Sequence, residues 1–287
     1  MLPKVLVFSL ISLFYFQGFA LSSMLQREVP RYVDFMEQRE VAKQPEEAVR
    51  LWELAIAAKG GREHLYSIRN MVISSRGEYM TSSFKKNKIR TEELLVFPNK
   101  YWSWDDLRPD VFGLMVKMYN YDTNMTYVIS EGEPHHQPEP ITDVQRNKAL
   151  RNDQLSFLLE TKWLKPTLVK ANTGRIGMRP VDIVQTMVEG ERVDFAFDRK
   201  THLPVRVSYY DVVRGKTYIM ALDLSDYIEI SGIKVPQTSK VDEGDKYKYG
   251  EGVKYKASFK FNVEYDPEIF VKPPPLEAGP EAWRRKR

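Results

Sequence analysis

The chain has 287 residues, a formal net charge of +4, 43% hydrophobic and 29% charged residues, and no cysteine. Disulfides, thiolate metal centres and a lipid-modified N-terminal cysteine are thereby excluded, and stability must come from core burial. The last four residues, Arg284-Arg285-Lys286-Arg287, carry most of the excess charge, so the body has no global basic field of the kind that nucleic-acid binding requires.

The opening "MLPKVLVFSLISLFYFQGFALSS" combines one Lys, an apolar run over 5–16 and the small-residue pattern Gly18-Phe19-Ala20. This reads as a secretory signal peptide over 1–20, cleaved near Ala20, with an uncleaved anchor as the alternative. It predicts an exported, periplasmic protein. Residues 21–44 form an extension before the first periodic segment. Over 45–56, Ala48, Leu51, Trp52, Ala55 and Ile56 recur at spacings of three and four, predicting an amphipathic helix that Gly60-Gly61 ends. A helical turn over 62–68 leads into a strand over 70–80.

From there period-two alternation dominates. Weaker strands are expected over 88–98, 101–105, 114–121 and 125–130. Val193, Phe195 and Phe197 share one face of "RVDFAFD", and Val205, Val207 and Tyr209 one face of "LPVRVSYY". In "KYKASFKFNVEY", Tyr255, Ala257, Phe259, Phe261, Val263 and Tyr265 alternate with polar residues, as antiparallel strands with one dry face do. In "SDYIEISGIKVPQTSKV", Ser231-Gly232 between two β-forming runs predicts a tight hairpin, and Pro236 marks an edge or a bulge. The segment 140–164 breaks the pattern, because Leu155, Leu158, Leu159 and Trp163 share a helical face. Nine or more antiparallel strands tend to curl, and the two helical segments are available to cover the apolar face. The Pro-rich basic stretch 273–287 is expected to be a flexible tail, with Trp283 and its four cations as an alternative membrane contact.

"AIAAKGGREHLYSIRNMVISSRGEY", "FDRKTHLPVRVSYY", "LSDYIEISGIKVPQTSKV" and "FKFNVEYDPEIFVKP", in this order, resemble segments of the bacterial outer-membrane lipoprotein-sorting proteins, and the match covers most of the chain after residue 20. The resemblance implies a mainly β, LolA-like domain over 45–272. Its fold would be a curved, open antiparallel half-barrel with a helical lid over an apolar cavity. It further implies a periplasmic carrier of the acyl chains of lipoproteins or lipids, with an inner-membrane transporter as donor and an outer-membrane acceptor. Such a protein would be a monomeric chaperone without cofactor or enzymatic activity. Phe195, Phe197, Val207, Tyr209, Phe259 and Phe261 are the candidate cavity wall, with Leu155, Leu158, Leu159 and Trp163 as the lid. An ordinary packed core is the alternative for each of these residues taken singly. Two other readings stay open. One is a sensor or interaction module of the same fold that binds a membrane-protein partner; the other is a metalloenzyme using His135-His136, whose loop provides no fixed ligand spacing.

Overall fold

The structure is a computed structural model and describes residues 44–80, 86–109, 113–131, 139–140, 148–213, 216–242 and 253–285. The signal peptide, the extension as far as residue 43 and His135-His136 lie outside the described residues. Two helices come first, α1 (Gln44–Lys59) and α2 (Arg62–Ser67). A meander follows through β1 (Asn70–Met80), β2 (Lys86–Val96), β3 (Lys100–Asp106), β4 (Leu114–Asn120), β5 (Met125–Ser130) and the two-residue β6 (Glu139–Pro140). After α3 (Lys148–Leu158) a second meander runs through β7 (Thr167–Ile176), β8 (Arg179–Val188), β9 (Glu191–Asp198) and β10 (Pro204–Val213). It closes with β11 (Lys216–Ile230), β12 (Ile233–Asp242) and β13 (Lys254–Phe261).

Antiparallel pairing of β1 with β13 joins the two meanders into one 13-stranded sheet, with β6 at one edge and β7 at the other. The sheet is therefore open. It also dictates where α3 must go, since a chain that leaves one edge and re-enters at the opposite one has to cross a face. α3 packs against both β3 and β12, which lie five strands apart counting both. At about 4.8 Å per strand they are separated by roughly 19 Å. An 11-residue helix is about 16 Å long, so α3 spans the hollow of a curled sheet. The helix is shorter than the expected 140–164, and residues 139–140 belong to β6.

The concave face carries the main core, to which both meanders, α1 and α3 contribute. Two local irregularities change faces that strict alternation assigned otherwise. An extra residue in β10, between Pro204 and Arg206 opposite β9, turns Val205 outward against Val181 and Ala196, while Val207 and Tyr209 keep the inner face. At the end of β13, Asn262 adopts φ 53°, so Val263 and Tyr265 pack on the outer cluster rather than beside Phe259. Asn262 is fixed by accepting from the Arg69 amide at 2.7 Å and donating to the Ser67 carbonyl at 3.2 Å. Pro236 is tolerated because β12 pairs with β13 only over 238–240, so its missing N–H interrupts no bond on that side. The expected hairpin forms, with Ser231 at φ 51° and Gly232 at φ 78°, the two positive values of a type I′ turn. A Cβ on Gly232 would lie 2.9 Å from the His64 ring, so this turn is also where α2 seats on the sheet.

The outer face of β1–β4 is covered as well. Trp102, Trp104, Leu94 and Met118 are buried there under Ile269, Phe270, Leu276 and Trp283. The Trp283 indole donates to Glu92 Oε1 at 3.0 Å, and the Trp104 indole donates to the Leu276 carbonyl at 3.2 Å. The stretch expected to be a loose tail is thus packed on the sheet as far as Trp283, which is only 3% exposed. The physical reason lies in β3 and β4, whose outward positions are too apolar to face water.

Candidate functional site

Phe195, Phe197, Val207, Tyr209 and Phe259 are buried on the concave face of the sheet, which helices roof. On the β7–β9 side the roof is α1, which packs on β7, β8 and β12. The Trp52 ring meets Phe195 edge-on at 5.0 Å and Phe197 at 5.9 Å, and the two phenyl rings stack on each other at 6.2 Å. Across the centre the roof is α3. Its Phe157 lies 5.1 Å from Phe259, and the Tyr209 hydroxyl reaches up to Ser156 Oγ at 2.8 Å and donates to the Asn152 carbonyl at 3.0 Å. Val207 is buried below the same helix layer, and Phe261 is partly buried at the rim.

α3 differs from the expected one-faced lid. Leu155, Leu158 and Leu159 are fully buried, but Arg151, Asn152, Asp153, Gln154 and Ser156 are buried too, as are Glu160 and Thr161 just beyond the helix. Trp163 sits outside this arrangement, 40% exposed and tilted against Phe97. A helix buried all round normally presents apolar residues on every side. This one is held by polar contacts near its ends. Near the start, Arg151 pairs with Glu191 at 2.6 Å and with Glu189 at 3.6 Å, both at the β8–β9 turn. Past the other end, Glu160 accepts from the Trp52 indole at 2.8 Å, Arg62 at 2.7 Å and the Tyr66 hydroxyl at 2.9 Å. Lys59, closing α1, donates to the Phe157 carbonyl at 2.6 Å. Its burial, with no carboxylate among the causes, pushes its ammonium down to about 7.

No protein-family model and no curated protein sequence matches the chain. Solved structures do. A LolA superfamily protein from Nitrosomonas europaea superposes with a TM-score of 0.52 at 13% identity, over 78% of this chain and 97% of that one. The chain has a LolA-like fold. A domain described as an outer membrane lipoprotein-sorting protein from Vibrio parahaemolyticus aligns over 79% of this chain and 97% of its own, at 10% identity and a TM-score of 0.49.

Within this LolA-like half-barrel the concave face is not uniformly apolar. Below α3, on the β1–β4 side, runs a polar band outside the candidate residues named above. Glu93, Asp105 and Lys117 point inward at the parity of Leu95, Tyr101 and Tyr119, and all three are buried. Lys117 Nζ lies 3.0 Å from Asp105 Oδ2. Burial, reinforced by the charge of Asp105, pushes the Glu93 carboxyl up to about 8. Asp153, on α3 above, is raised well above the carboxylate range by burial and by Glu93. Among the described residues neither of its carboxylate oxygens has a hydrogen-bond partner. Glu93 and Asp153 thus both favour the protonated carboxyl relative to a carboxylate in water. The signal was present in the sequence: strands whose core-facing positions include Glu, Asp and Lys predict a buried polar contact opposite them.

Proposed function

We propose that the protein is a carrier of acyl chains, accepting lipoproteins or lipids at a membrane and passing them on within the periplasm towards the outer membrane. The observation that carries the reading is the construction of the α3 roof. The apolar floor runs from Phe195 and Phe197, under α1, to Tyr209 and Phe259, and this central part is covered by α3, a helix secured through side-chain hydrogen bonds and ion pairs near its two ends. Such a helix can leave the floor without unpairing any strand. Each methylene of a chain that replaces it contributes about 0.8 kcal/mol, so one acyl chain supplies on the order of 10 kcal/mol before ordering costs. A dry surface suffices for this, and the reading assigns the protein no reaction and no cofactor. An inner-membrane donor and an outer-membrane acceptor complete the scheme, because a water-soluble carrier does not extract lipid cheaply by itself.

Tyr209→Phe tests the role of α3. It keeps the ring and removes the hydroxyl that bonds to Ser156 and Asn152, loosening the helix by roughly 1–2 kcal/mol. Amide exchange of α3 should quicken, and uptake of a fluorescent fatty acid should become several-fold faster. Faster exchange with unchanged uptake would remove α3 as the gate.

A further inference from the structure

The outer face of the sheet centre presents a row of cations that acyl carriage does not use. Register places Lys256 of β13, Arg76 of β1 and Arg90 of β2 directly opposite one another on three adjacent strands, and all three are exposed. The next row is Lys254, Glu78 and Lys88, where a single carboxylate stands between two cations. Lys260 adds another charge on the same face of β13. Like charges directly opposite on neighbouring strands destabilise a sheet. Among the described residues Arg76, Lys88, Lys254, Lys256 and Lys260 have no ion-pair partner. The other carboxylates nearby are already engaged. Arg108 clamps Asp106 through two bonds of 2.8 and 2.7 Å, Arg284 pairs with Glu281, and the buried Glu92 accepts from the Trp283 indole. Arg90 is steadied over the Trp104 ring at 5.7 Å. Arg76, Lys88, Arg90, Lys254, Lys256 and Lys260 line a groove of about 1320 Å³, walled on one side by the C-terminal segment at Glu281.

We infer that this groove is a second binding site, separate from the concave face, for a phosphate-bearing ligand. Cations on adjacent strands stand about 4.8 Å apart, closer than the roughly 6.8 Å between alternate residues of an extended acidic peptide. A compact anion with several oxygens fits that spacing and is shared between two neighbours. Guanidinium forks such as Arg76 and Arg90 bind phosphate in two-pronged fashion. The ligand is either the headgroup of an anionic lipid or a soluble phosphorylated molecule, and both present the same chemistry to the row.

The test is calorimetric titration of the full-length protein with inorganic pyrophosphate at low ionic strength, paired with flotation on phosphatidylglycerol–phosphatidylcholine vesicles. Pyrophosphate should bind and should weaken as salt rises. Affinity should fall at least tenfold in Arg76→Gln/Arg90→Gln, fall also in Lys256→Gln, and hold in the distant Arg199→Gln. Vesicle binding that pyrophosphate competes away and the double variant loses assigns the ligand to a headgroup; pyrophosphate binding without vesicle binding assigns it to a soluble phosphate. Three results would overturn the site: no pyrophosphate binding by the folded protein, binding indifferent to the double variant, or tighter binding of a poly-glutamate peptide than of pyrophosphate. None of them bears on acyl uptake by the concave face.

Discussion

Glu160 is the residue on which the closed arrangement depends most, because three donors from α1 and α2 converge on one buried carboxylate just beyond α3. Glu160→Ala leaves the Trp52 indole and the Tyr66 hydroxyl without their acceptor, which should cost about 3 kcal/mol in urea unfolding; a loss below about 1 kcal/mol would mean that the latch is incidental. Glu93 makes a pH prediction. Asp105, Lys117, Tyr101, Glu92 and, from α3, Asp153 surround it. Its carboxyl is raised in the folded protein, from 4.5 to about 8, so its contribution is whole below the unfolded value and is lost as pH climbs towards 8. Asp153 shifts in the same direction. Lys59, lowered to about 7 from 10.5, acts oppositely and only above 7, so the carboxyls are isolated between pH 5 and 7. The urea midpoint should fall across that window, and fall less in Glu93→Gln; equal slopes in the two proteins would contradict the assignment.

Among the elements, the strands were the most legible in the sequence, since strict alternation in "RVDFAFD" and "KYKASFKF" marks one dry face directly. The turn at Ser231-Gly232 was equally plain. What escaped was whatever a single residue reverses: the bulge that turns out Val205 and the positive φ of Asn262 both flip parity without a strong compositional sign. α3 was read from its leucines as an amphipathic lid, and its complete burial follows from topology, which periodicity does not contain. The C-terminal segment was misread for the opposite reason, because Pro and basic residues suggest a loose tail while Trp283 fills the outer cluster. Trp283→Ala should therefore destabilise the protein by about 3–5 kcal/mol. Removal of 273–287 should bare Trp102 and Trp104 and promote aggregation in light scattering. A truncated chain as stable and monodisperse as the full one would return the segment to the status of a tail.

At the scale of the molecule, two meanders joined at β1 and β13 leave β6 and β7 at opposite edges, and that arrangement sends α3 across the hollow. The fold class was readable because four ordered segments resemble one family and because so many antiparallel strands cannot stay flat. The candidate site was readable only on its apolar side, β9, β10 and β13. Its polar side needed the curl of the sheet to bring Glu93 and Asp105 under Asp153. The concave face is thus divided between an apolar floor and a band of buried polar side chains. Native mass spectrometry of the protein purified from its own cells, followed by lipid extraction, tests the central claim most directly. The account predicts a population carrying acylated ligand, displaced by added fatty acid. A uniformly unliganded mass that takes up no lipid on titration would contradict it.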